Sequence, residues 1–376
     1  MSFTHPNAHL IGQAGGRRAL ATPALVLDLP VFEANIAAMA RLAKAAGLAL
    51  RPHAKTHKCR AIAERQLAAG AVGLCVAKTG EAEALAGTPG LRSLLVTSPV
   101  IGPSAPARLA AVARRVEELL VVVDSPAGAE ALSTAAVAEG VRIGAVVDID
   151  PGIHRTGCAG PDAAVDLAKT VAQMPGLWFA GLQCYAGHVQ HIEDYETRGQ
   201  IAAMALADMA EARDRLQAIG LAPGLLTGGG TGTFAQEAGL GVLTELQAGS
   251  YVFMDVEYDA VQLESAHGRP FRPALFVDAR VISANTADFV TIDAGFKAFA
   301  TDGPKPRLAA GGPEGTEFAF MGDEHGALFA PLPLGTQVTL EVPHCDPTVN
   351  LYDVIHVVEG DRLVTLWPIE GRGRSA

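Results

Sequence analysis

Eight residues from Arg51 to Lys58 carry three basic side chains and two imidazoles, in a chain whose formal net charge is −11. They follow a short apolar run that is predicted as a β-strand. Alternate residues of a strand share a face, so Arg51, His53 and Lys55 are expected to project together. Neighbouring cations lower the pKa of a lysine, and a lysine without its proton is a nucleophile toward carbonyl groups. Lys55 is therefore the candidate nucleophile, and a solvated basic patch is the alternative.

A second polar pair lies near the C-terminus, after the predicted strand 337–342. With the two-residue period of a strand, His344 and Asp346 would share one face while Cys345 points to the other. One imidazole and one carboxylate can bind Mn²⁺, Mg²⁺ or Zn²⁺ and leave positions open for water or substrate. The alternative is a surface turn that binds no metal.

The elements that must position these residues alternate along the chain. From about residue 22 to 255, short aliphatic runs alternate with alanine-rich amphipathic segments, the pattern of repeated strand–helix units. This pattern predicts an α/β fold, a (β/α)8 TIM barrel. An open doubly wound sheet is the alternative, but the glycine fingerprint that it needs after its first strand is missing from the sequence. The predicted strands are 23–29, 48–54, 72–77, 93–97, 119–124, 142–150, 178–185, 224–227 and one near 245–254.

The helical pattern stops after about residue 265, and strand-like segments separated by Gly and Pro turns follow. We therefore predict two domains. A barrel spans 22–260, and a β-rich domain spans 265–370, is joined by 1–21 and carries the metal ligands. The polar turn 322–326, which contains Asp323, could support these ligands or could form only a hairpin tip.

Polar residues that end different barrel strands meet on one face, because the loops after the strands form that face. Lys55, Arg155 and Tyr185 each end or follow a predicted strand, and the glycine loop 228–232 follows another. The sequence therefore predicts that these four features converge on one site.

Two of the predicted loops suit a phosphate group. The first contains Gly230 and Thr231, whose backbone N–H groups and hydroxyl could donate to phosphate oxygens. The second, Gly249, Ser250 and Tyr251, ends the next predicted strand and could supply a further contact. Glycines after strands are often only turns, which is the alternative for each loop. An aldehyde that carries a phosphate and is held by a lysine describes pyridoxal phosphate.

The composition restricts the class of protein. Of the 376 residues, 49% are hydrophobic and 18% charged, which predicts a sizeable core. The negative net charge argues against nucleic acid or an anionic membrane as a partner, while a small anion could still bind at a local basic site. The five cysteines form no C-x-x-C pair, which is typical of a reducing compartment. Arg17 and Arg18 precede an apolar segment that Pro23, Asp28 and Pro30 interrupt, so it does not form a signal sequence and the chain is predicted to be cytoplasmic. No apolar run is long enough for a membrane span.

The chain resembles the D-threonine aldolase and D-serine dehydratase family over residues 22–367. The motifs that carry the resemblance are Arg51–Lys58, Gly228–Gly232, Leu246–Tyr251 and His344–Thr348. Members of this family are pyridoxal-phosphate enzymes with an alanine-racemase-like barrel and a C-terminal β domain.

The resemblance implies a role for each candidate residue. Lys55 would bind the cofactor covalently, and Arg155 and Tyr185 would contact its ring. His344 and Asp346 would bind the divalent metal. The residues implied near the cofactor phosphate are Gly230, Thr231, Gly249 and Ser250.

The metal motif favours one branch of the family, because His-x-Asp is similar to the aldolases whereas the dehydratases generally carry His-x-Cys. Asp346 therefore predicts an aldolase that cleaves D-β-hydroxy-α-amino acids such as D-threonine to glycine and an aldehyde. The chain departs from many aldolases at Ala77 and Ala186, and His188 resembles some dehydratases. These departures leave the β-substituent of the substrate open.

Other activities remain alternatives. A D-serine or D-3-hydroxyaspartate dehydratase would use the same metal but would start with removal of the α-proton by Lys55. A racemase would need a second base that the sequence does not identify. A non-catalytic pyridoxal-phosphate carrier would need no metal. Similar folds commonly dimerise, so a homodimer is expected.

Overall fold

The computed structural model describes residues 5–264 and 268–376. The described chain divides into two compact units. The first contains the residues up to Ile36 together with 250–260 and 270–372. The second contains 37–249, the described part of 261–269, and 373–376.

The described residues form strands, α-helices and four short 3-10 helices. In chain order the strands are β1 (Ala24–Asp28), β2 (Ala49–Leu50), β3 (Leu74–Val76), β4 (Ser93–Val96), β5 (Glu118–Val123), β6 (Ile143–Asp148), β7 (Leu177–Cys184), β8 (Leu225–Gly228), β9 (Glu245–Leu246), β10 (Leu275–Ser283), β11 (Val290–Ile292), β12 (Arg307–Ala310), β13 (Phe318–Phe320), β14 (Gly326–Leu328), β15 (Gln337–Glu341), β16 (Val354–Glu359) and β17 (Arg362–Pro368). The α-helices are α1 (Leu29–Ala45), α2 (Arg60–Ala68), α3 (Thr79–Leu85), α4 (Ala105–Ala113), α5 (Pro126–Glu139), α6 (Gly160–Val171), α7 (Tyr195–Ala218), α8 (Phe234–Leu240), α9 (Val256–Asp259) and α10 (Cys345–Val349). The 3-10 helices are Ala8–Leu10, Ala54–Thr56, Gly187–Val189 and Ser250–Val252.

The second unit is the predicted (β/α)8 barrel, which is confirmed. Eight parallel strands lie in the order β2-β9-β8-β7-β6-β5-β4-β3. The sheet closes where Val72 N–H donates to Leu50 O over 2.9 Å and Cys75 N–H donates to Pro52 O over 2.8 Å. Strands such as β5 and β6 are continuous apolar runs because helices cover the outside of a parallel barrel and side chains fill its interior.

Capping defines the helices that cover the barrel. In α5, the Ser125 hydroxyl accepts from the Gly128 N–H over 3.3 Å, and Pro126 occupies the first turn. The helix ends at Gly140, whose φ of +63° is favourable only for a residue without a Cβ. Such local signals explain why the strand–helix alternation can be predicted from the sequence.

The first unit is built on a mostly antiparallel sheet, as predicted for the β-rich domain. Its strands follow the order β13-β14-β11-β10-β1-β16-β17, and β15 pairs with both β10 and β12. The sheet contains strands from both ends of the sequence, since β1 pairs antiparallel with β10 and parallel with β16.

The assignment of strand 23–29 to the barrel is wrong, because β1 belongs to this nine-stranded sheet. Residues 22–36 and 250–260, which the sequence placed in the barrel, lie in the first unit. The reason is that β1 is followed directly by α1, the local pattern of a barrel unit, while the choice of partner strand depends on residues some 250 positions later.

None of the α-helices in the part of the chain that the structure describes is both long enough and apolar enough to cross a lipid bilayer.

Candidate active site

A cavity of about 660 Å³ lies at the carboxyl ends of the barrel strands, within the size range of small-molecule sites. Lys55, Arg155 and Tyr185 all line it, so three of the four predicted features converge. The fourth, the glycine loop 228–232, is not part of this lining. A larger and more open cleft of about 1060 Å³ lies in the first unit, but its lining includes none of the predicted site residues.

Two of the three cations in the stretch Arg51–Lys58 form ion pairs with carboxylates. The Arg51 guanidinium is buried, donating to Glu245 Oε1 over 2.8 Å and to Ser93 Oγ over 2.6 Å. Lys58 Nζ lies 3.3 Å from Glu81 Oε1. Each of these cations therefore has a carboxylate partner, so the stretch is not a solvated basic patch.

The predicted common face of Arg51, His53 and Lys55 is wrong for Arg51. Strand β2 ends at Leu50, and Lys55 lies in the 3-10 helix Ala54–Thr56. His53 and Lys55 line the cavity, whereas Arg51 does not, because its guanidinium binds Glu245 and Ser93 instead.

His53 is held in one orientation beside Lys55. Its Nδ1 accepts the Lys55 N–H over 3.3 Å, and its Nε2 lies 3.0 Å from Thr97 Oγ1. Thr97 Oγ1 in turn donates to Val76 O over 3.2 Å. A nitrogen that accepts cannot carry the proton of a neutral imidazole, so the network assigns that proton to Nε2.

Arg155 and Tyr185 form the opposite part of the cavity wall. The guanidinium carbon of Arg155 lies 5.8 Å from the centre of the Tyr185 ring, a cation–π distance. The loop before Arg155 is fixed by Asp150, whose Oδ1 accepts the N–H groups of Gly152 and His154 over 2.9 Å each. A guanidinium and an aromatic ring are thus presented to any molecule held by Lys55.

A buried carboxyl group in the same wall was missed by the sequence analysis. Asp148 Oδ1 accepts from Gln183 Nε2 and its Oδ2 accepts from Thr156 Oγ1, each over 2.9 Å. Burial raises the pKa of Asp148 to about 6, although these hydrogen bonds oppose the shift. Gln183 lies on β7, two residues before Tyr185, and this spacing is the signal that could have identified Gln183 as a further residue of the cavity.

Gln183 connects Asp148 to the interior of the barrel. Gln247 Nε2 donates to both Gln183 Oε1 and Thr227 Oγ1 over 3.0 Å, and Thr227 Oγ1 donates to Glu245 Oε1 over 3.0 Å. A continuous polar chain therefore runs from the cavity wall to the carboxylate that binds Arg51.

The glycine loop after β8 is closely packed against the protein. A Cβ on Gly230 would lie 2.3 Å from Gln190 Oε1, and a Cβ on Gly232 would lie 1.9 Å from Gln190 O. The Gly232 N–H donates to Gln190 Oε1 over 3.0 Å, and Thr231 is buried. Packing against Gln190 therefore favours glycine at both positions. The predicted approach of a phosphate to this loop stays a prediction.

Gly249 faces the segment that carries Lys55. A Cβ on Gly249 would lie 2.8 Å from Thr56 Oγ1 and 2.9 Å from His53 O, so packing also requires glycine at this position. The Thr56 hydroxyl is fully buried and has no hydrogen-bond partner among the described residues. A buried hydroxyl without a partner costs free energy, so an acceptor such as a phosphate oxygen would suit it.

Ser250 and Tyr251 begin the first unit's 3-10 helix Ser250–Val252. Ser250 is 8% exposed, and Tyr251 is fully buried with its ring centre 5.7 Å from that of Phe271. Tyr251 therefore packs in an aromatic core, and its predicted contact with the cofactor stays a prediction.

The predicted metal pair lies on a helix rather than on a strand. β15 ends at Glu341, His344 caps the N-terminus of α10, and Asp346 lies in its first turn. The argument from strand alternation is therefore wrong. Cys345 does not point away, since it is fully buried with Sγ 3.4 Å from Asp346 Oδ2.

The chemistry of the pair nevertheless suits a metal ligand. His344 Nδ1 lies 2.9 Å from Asp302 Oδ2, which leaves Nε2 for a cation, as in carboxylate–histidine–metal sites. Burial lowers the pKa of His344, but the charges of Asp346 and Asp302 outweigh it and the net pKa is raised. Asp302 was missed because 42 residues separate it from His344. No group of three or more His, Cys, Asp or Glu side chains in the described ranges forms a metal-binding cluster.

Three further positions that the sequence analysis singled out, Asp323, His188 and Ala77, lie in different parts of the chain. The turn 322–326 connects β13 to β14 and is a hairpin tip, where Met321 N–H donates to His325 O over 2.9 Å. Asp323 there lies 3.8 Å from Lys297 Nζ. His188 is exposed in the 3-10 helix Gly187–Val189, whereas Ala77 lines the cavity.

Comparisons with known proteins agree with this architecture. The family "Alanine racemase, N-terminal domain" matches residues 27–257, and "Putative serine dehydratase domain" matches residues 274–358. D-threonine aldolase of an Arthrobacter species is 40% identical over 94% of this chain and 93% of its own length. 3-Hydroxy-D-aspartate aldolase of Paracoccus denitrificans is 36% identical over 94% and 92%. The crystal structure of D-threonine aldolase from Filomicrobium marinum has a TM-score of 0.91 at 39% identity and covers 96% of this chain and 97% of that one.

Proposed function

Since the chain belongs to the D-threonine aldolase and D-serine dehydratase family of fold type III pyridoxal-phosphate enzymes, we propose that it is a lyase that cleaves D-β-hydroxy-α-amino acids to glycine and an aldehyde. The observation that carries the proposal is Lys55 in the wall of a cavity shared with Arg155 and Tyr185. Relatives with 36–40% identity over almost the whole chain support the same reaction.

The residues of the cavity fit pyridoxal phosphate. Lys55 would hold the cofactor covalently, Arg155 and Tyr185 would face its ring, and the buried Thr56 hydroxyl would find an acceptor in its phosphate. When bound, the cofactor supplies an electron sink for the pair of electrons released at Cα. Gly230, Thr231, Gly249 and Ser250 as phosphate neighbours remain part of this proposal.

The chain's own groups would control protons near the reacting atoms. His53 keeps its Nε2 proton directed at Thr97 Oγ1, so its Nδ1 remains an acceptor for the Lys55 backbone. Because the pKa of Asp148 is about 6, its carboxyl group can hold or release a proton near neutral pH. Arg155 would offset negative charge that develops in the cavity.

His344 and Asp346 would hold a divalent cation, with Mn²⁺ or Mg²⁺ preferred and Zn²⁺ as the alternative. Asp302 would orient the imidazole from Nδ1. When bound, such a cation lowers the pKa of a hydroxyl group that it coordinates, which is the help that a β-hydroxyl needs near neutral pH.

Product analysis tests the proposal. The purified protein with pyridoxal phosphate and Mn²⁺ is given D-threonine, D-3-hydroxyaspartate and D-serine in separate reactions. Glycine with an aldehyde from the first two substrates is the expected result. Ammonia with a keto acid would instead identify the dehydratase.

Two further features of the proposal concern the whole protein. A cytoplasmic location is supported by five buried cysteines that form no disulfide, as a reducing compartment permits. A homodimer is proposed from the resemblance to the family, and size-exclusion chromatography with light scattering tests it.

A further inference from the structure

Glu237 is a fully buried carboxyl group in contact with the glycine loop of the barrel. It lies in the first turn of α8, and its Oε2 accepts from the Thr233 hydroxyl. A Cβ on Gly229 would lie only 2.6 Å from the same oxygen. Among the described residues, Oε1 has no hydrogen-bond partner and the side chain forms no ion pair.

Thr233 connects this carboxyl group to the N–H groups of the loop. Its Oγ1 accepts from the Gly230 N–H over 3.3 Å and from Gln190 Nε2 over 2.9 Å. Gln190 Oε1 accepts the Gly232 N–H over 3.0 Å. The orientation of the loop donors therefore depends on Glu237 through Thr233 and Gln190.

The surroundings of Glu237 offer little compensation for a negative charge. Burial raises the pKa of Glu237 to about 7, and hydrogen bonds from Thr233 and the Gly230 backbone only reduce the shift. On β7, the charge of Glu237 acts on the thiol of Cys184. Burial raises the pKa of that thiol well above its usual value, so the thiol is neutral.

Among the described residues, no cation on a neighbouring element offsets the charge of Glu237. Leu246 of β9 lies against Gly229 together with Glu237, and Gln190 is neutral. The buried cation of α7, Arg198, donates to the carbonyl oxygens of Ile192 and Gln262 instead.

We propose that Glu237 positions the phosphate-binding loop and carries a proton whenever the cofactor phosphate is bound, so that cofactor binding is coupled to proton uptake. The inference rests on the proposed function, because it requires a phosphate at the glycine loop. A carboxylate and a phosphate dianion separated only by this loop would repel each other strongly in a buried site. The proton is taken from solvent onto a Glu237 carboxyl oxygen, and no other bond changes.

The coupling has a definite sign. The protonated form of Glu237 binds phosphate better, so affinity is highest below pH 7 and falls as pH rises above the pKa of the free protein. For one coupled proton, the dissociation constant rises by up to about tenfold per pH unit. The Glu237→Gln variant is neutral at every pH and can still accept from Thr233, so it should lose this dependence.

Titrating the apo-protein with pyridoxal phosphate, followed by its visible absorption, tests the coupling without measuring activity. The ratio of the wild-type to the Glu237→Gln dissociation constant should be near one at pH 6 and about tenfold or more at pH 8.5. Glu130→Gln, which removes an exposed carboxyl group on α5, serves as the matched control and should behave as wild type. A ratio that stays constant from pH 6 to 8.5 overturns the inference.

Pyridoxal, which lacks the phosphate, separates this inference from the proposed function. Covalent attachment to Lys55 is common to both compounds, so the pH-dependent ratio should appear with pyridoxal phosphate and not with pyridoxal. The same ratio for both compounds overturns the role of Glu237, whereas failure of both to bind at Lys55 overturns the proposed function itself.

Calorimetry gives a second measurement of the coupling. It uses only the wild-type protein and so does not depend on whether a variant folds. Titrations at pH 7.5 in two buffers with different ionisation enthalpies report proton uptake. The protein should take up more protons when it binds pyridoxal phosphate than when it binds pyridoxal. Equal proton uptake with the two compounds contradicts the coupling.

Discussion

Lys55 is distinguished from the other basic residues of its stretch by its surroundings rather than by its charge. Arg51 and Lys58 each lie beside a buried carboxylate, while Lys55 lines the cavity with Arg155 and Tyr185. The density of cations drew attention to this segment of the sequence. Within it, Lys55 lies in the 3-10 helix Ala54–Thr56, and its role as the nucleophile stays a prediction.

Replacing Lys55 with alanine should abolish covalent attachment of pyridoxal phosphate, because only its amine is expected to reach the cofactor aldehyde. Borohydride reduction followed by peptide mapping measures the label. Lys78→Ala is the matched control, since Lys78 lines the same cavity, and it should keep full labelling. Label on the peptide that contains Lys78 would contradict the assignment.

Metal affinity should depend on His344, Asp346 and Asp302. Alanine at His344 or Asp346 should lower Mn²⁺ affinity by about 100-fold or more, and Asp302→Asn should lower it by about 10- to 100-fold because the imidazole loses its orienting partner. Calorimetric titration with Mn²⁺ measures these changes, and the visible cofactor band should remain. Asp323→Asn, at the hairpin tip, is the control. Full metal affinity in His344→Ala would exclude this site.

At the scale of elements, the sequence predicted the barrel because its signals are local. Apolar runs of strand length, helix caps such as Ser125 and turn glycines such as Gly140 recur along 37–249. Partners that lie far apart in the sequence leave no such signal. For this reason β1 was assigned to the wrong sheet.

The error at His344 has a similar cause. The sequence analysis extended the two-residue period of the strand to Asp346, but β15 ends at Glu341 and α10 begins at Cys345. The helix α10 is supported by Asp255, whose Oδ2 accepts the Cys345 N–H over 2.9 Å. That support comes from a residue 90 positions earlier, so no pattern near His344 could predict it.

Side-chain packing between the barrel strands leaves no room for a larger residue at Gly144 of β6. A Cβ on Gly144 would lie 2.5 Å from Leu120 Cδ2 and 2.7 Å from the Trp178 ring. Gly144→Ala should therefore lower the free energy of unfolding by about 1–3 kcal/mol through overpacking. Gly224→Ala is the control, because its nearest contact would be 3.4 Å away, and it should change stability by less than about 0.5 kcal/mol. Chemical denaturation measures both, and equal losses would contradict the packing argument.

At the scale of the molecule, the described chain keeps all of its thiols away from solvent. The five cysteines form no disulfide and are buried, and burial raises the pKa of Cys75, Cys184 and Cys345 well above the usual thiol value. Burial also raises the pKa of Cys158, to about 12. Neutral, buried thiols react slowly with electrophiles, so the folded protein should resist thiol-specific reagents.

A thiol titration checks this expectation. In its native state the protein should react with a disulfide reagent at least about 100-fold more slowly than in denaturant, where five thiols per chain should react. Fewer than five thiols in the denatured, non-reduced protein would reveal a disulfide. Rapid reaction of the native protein would show that a cysteine is more accessible than the structure indicates.

The polar chain inside the barrel has a direction that follows from Gln247. Its amide donates toward Gln183, which donates to Asp148, and also toward Thr227, which donates to Glu245. Two sequences of hydrogen bonds thus begin at one amide and end on two carboxyl groups. A single substitution at either glutamine would leave a buried donor or acceptor of its neighbours without a suitable partner. Among homologous sequences, positions 183 and 247 are therefore expected to vary together, as an epistatic pair, rather than one at a time.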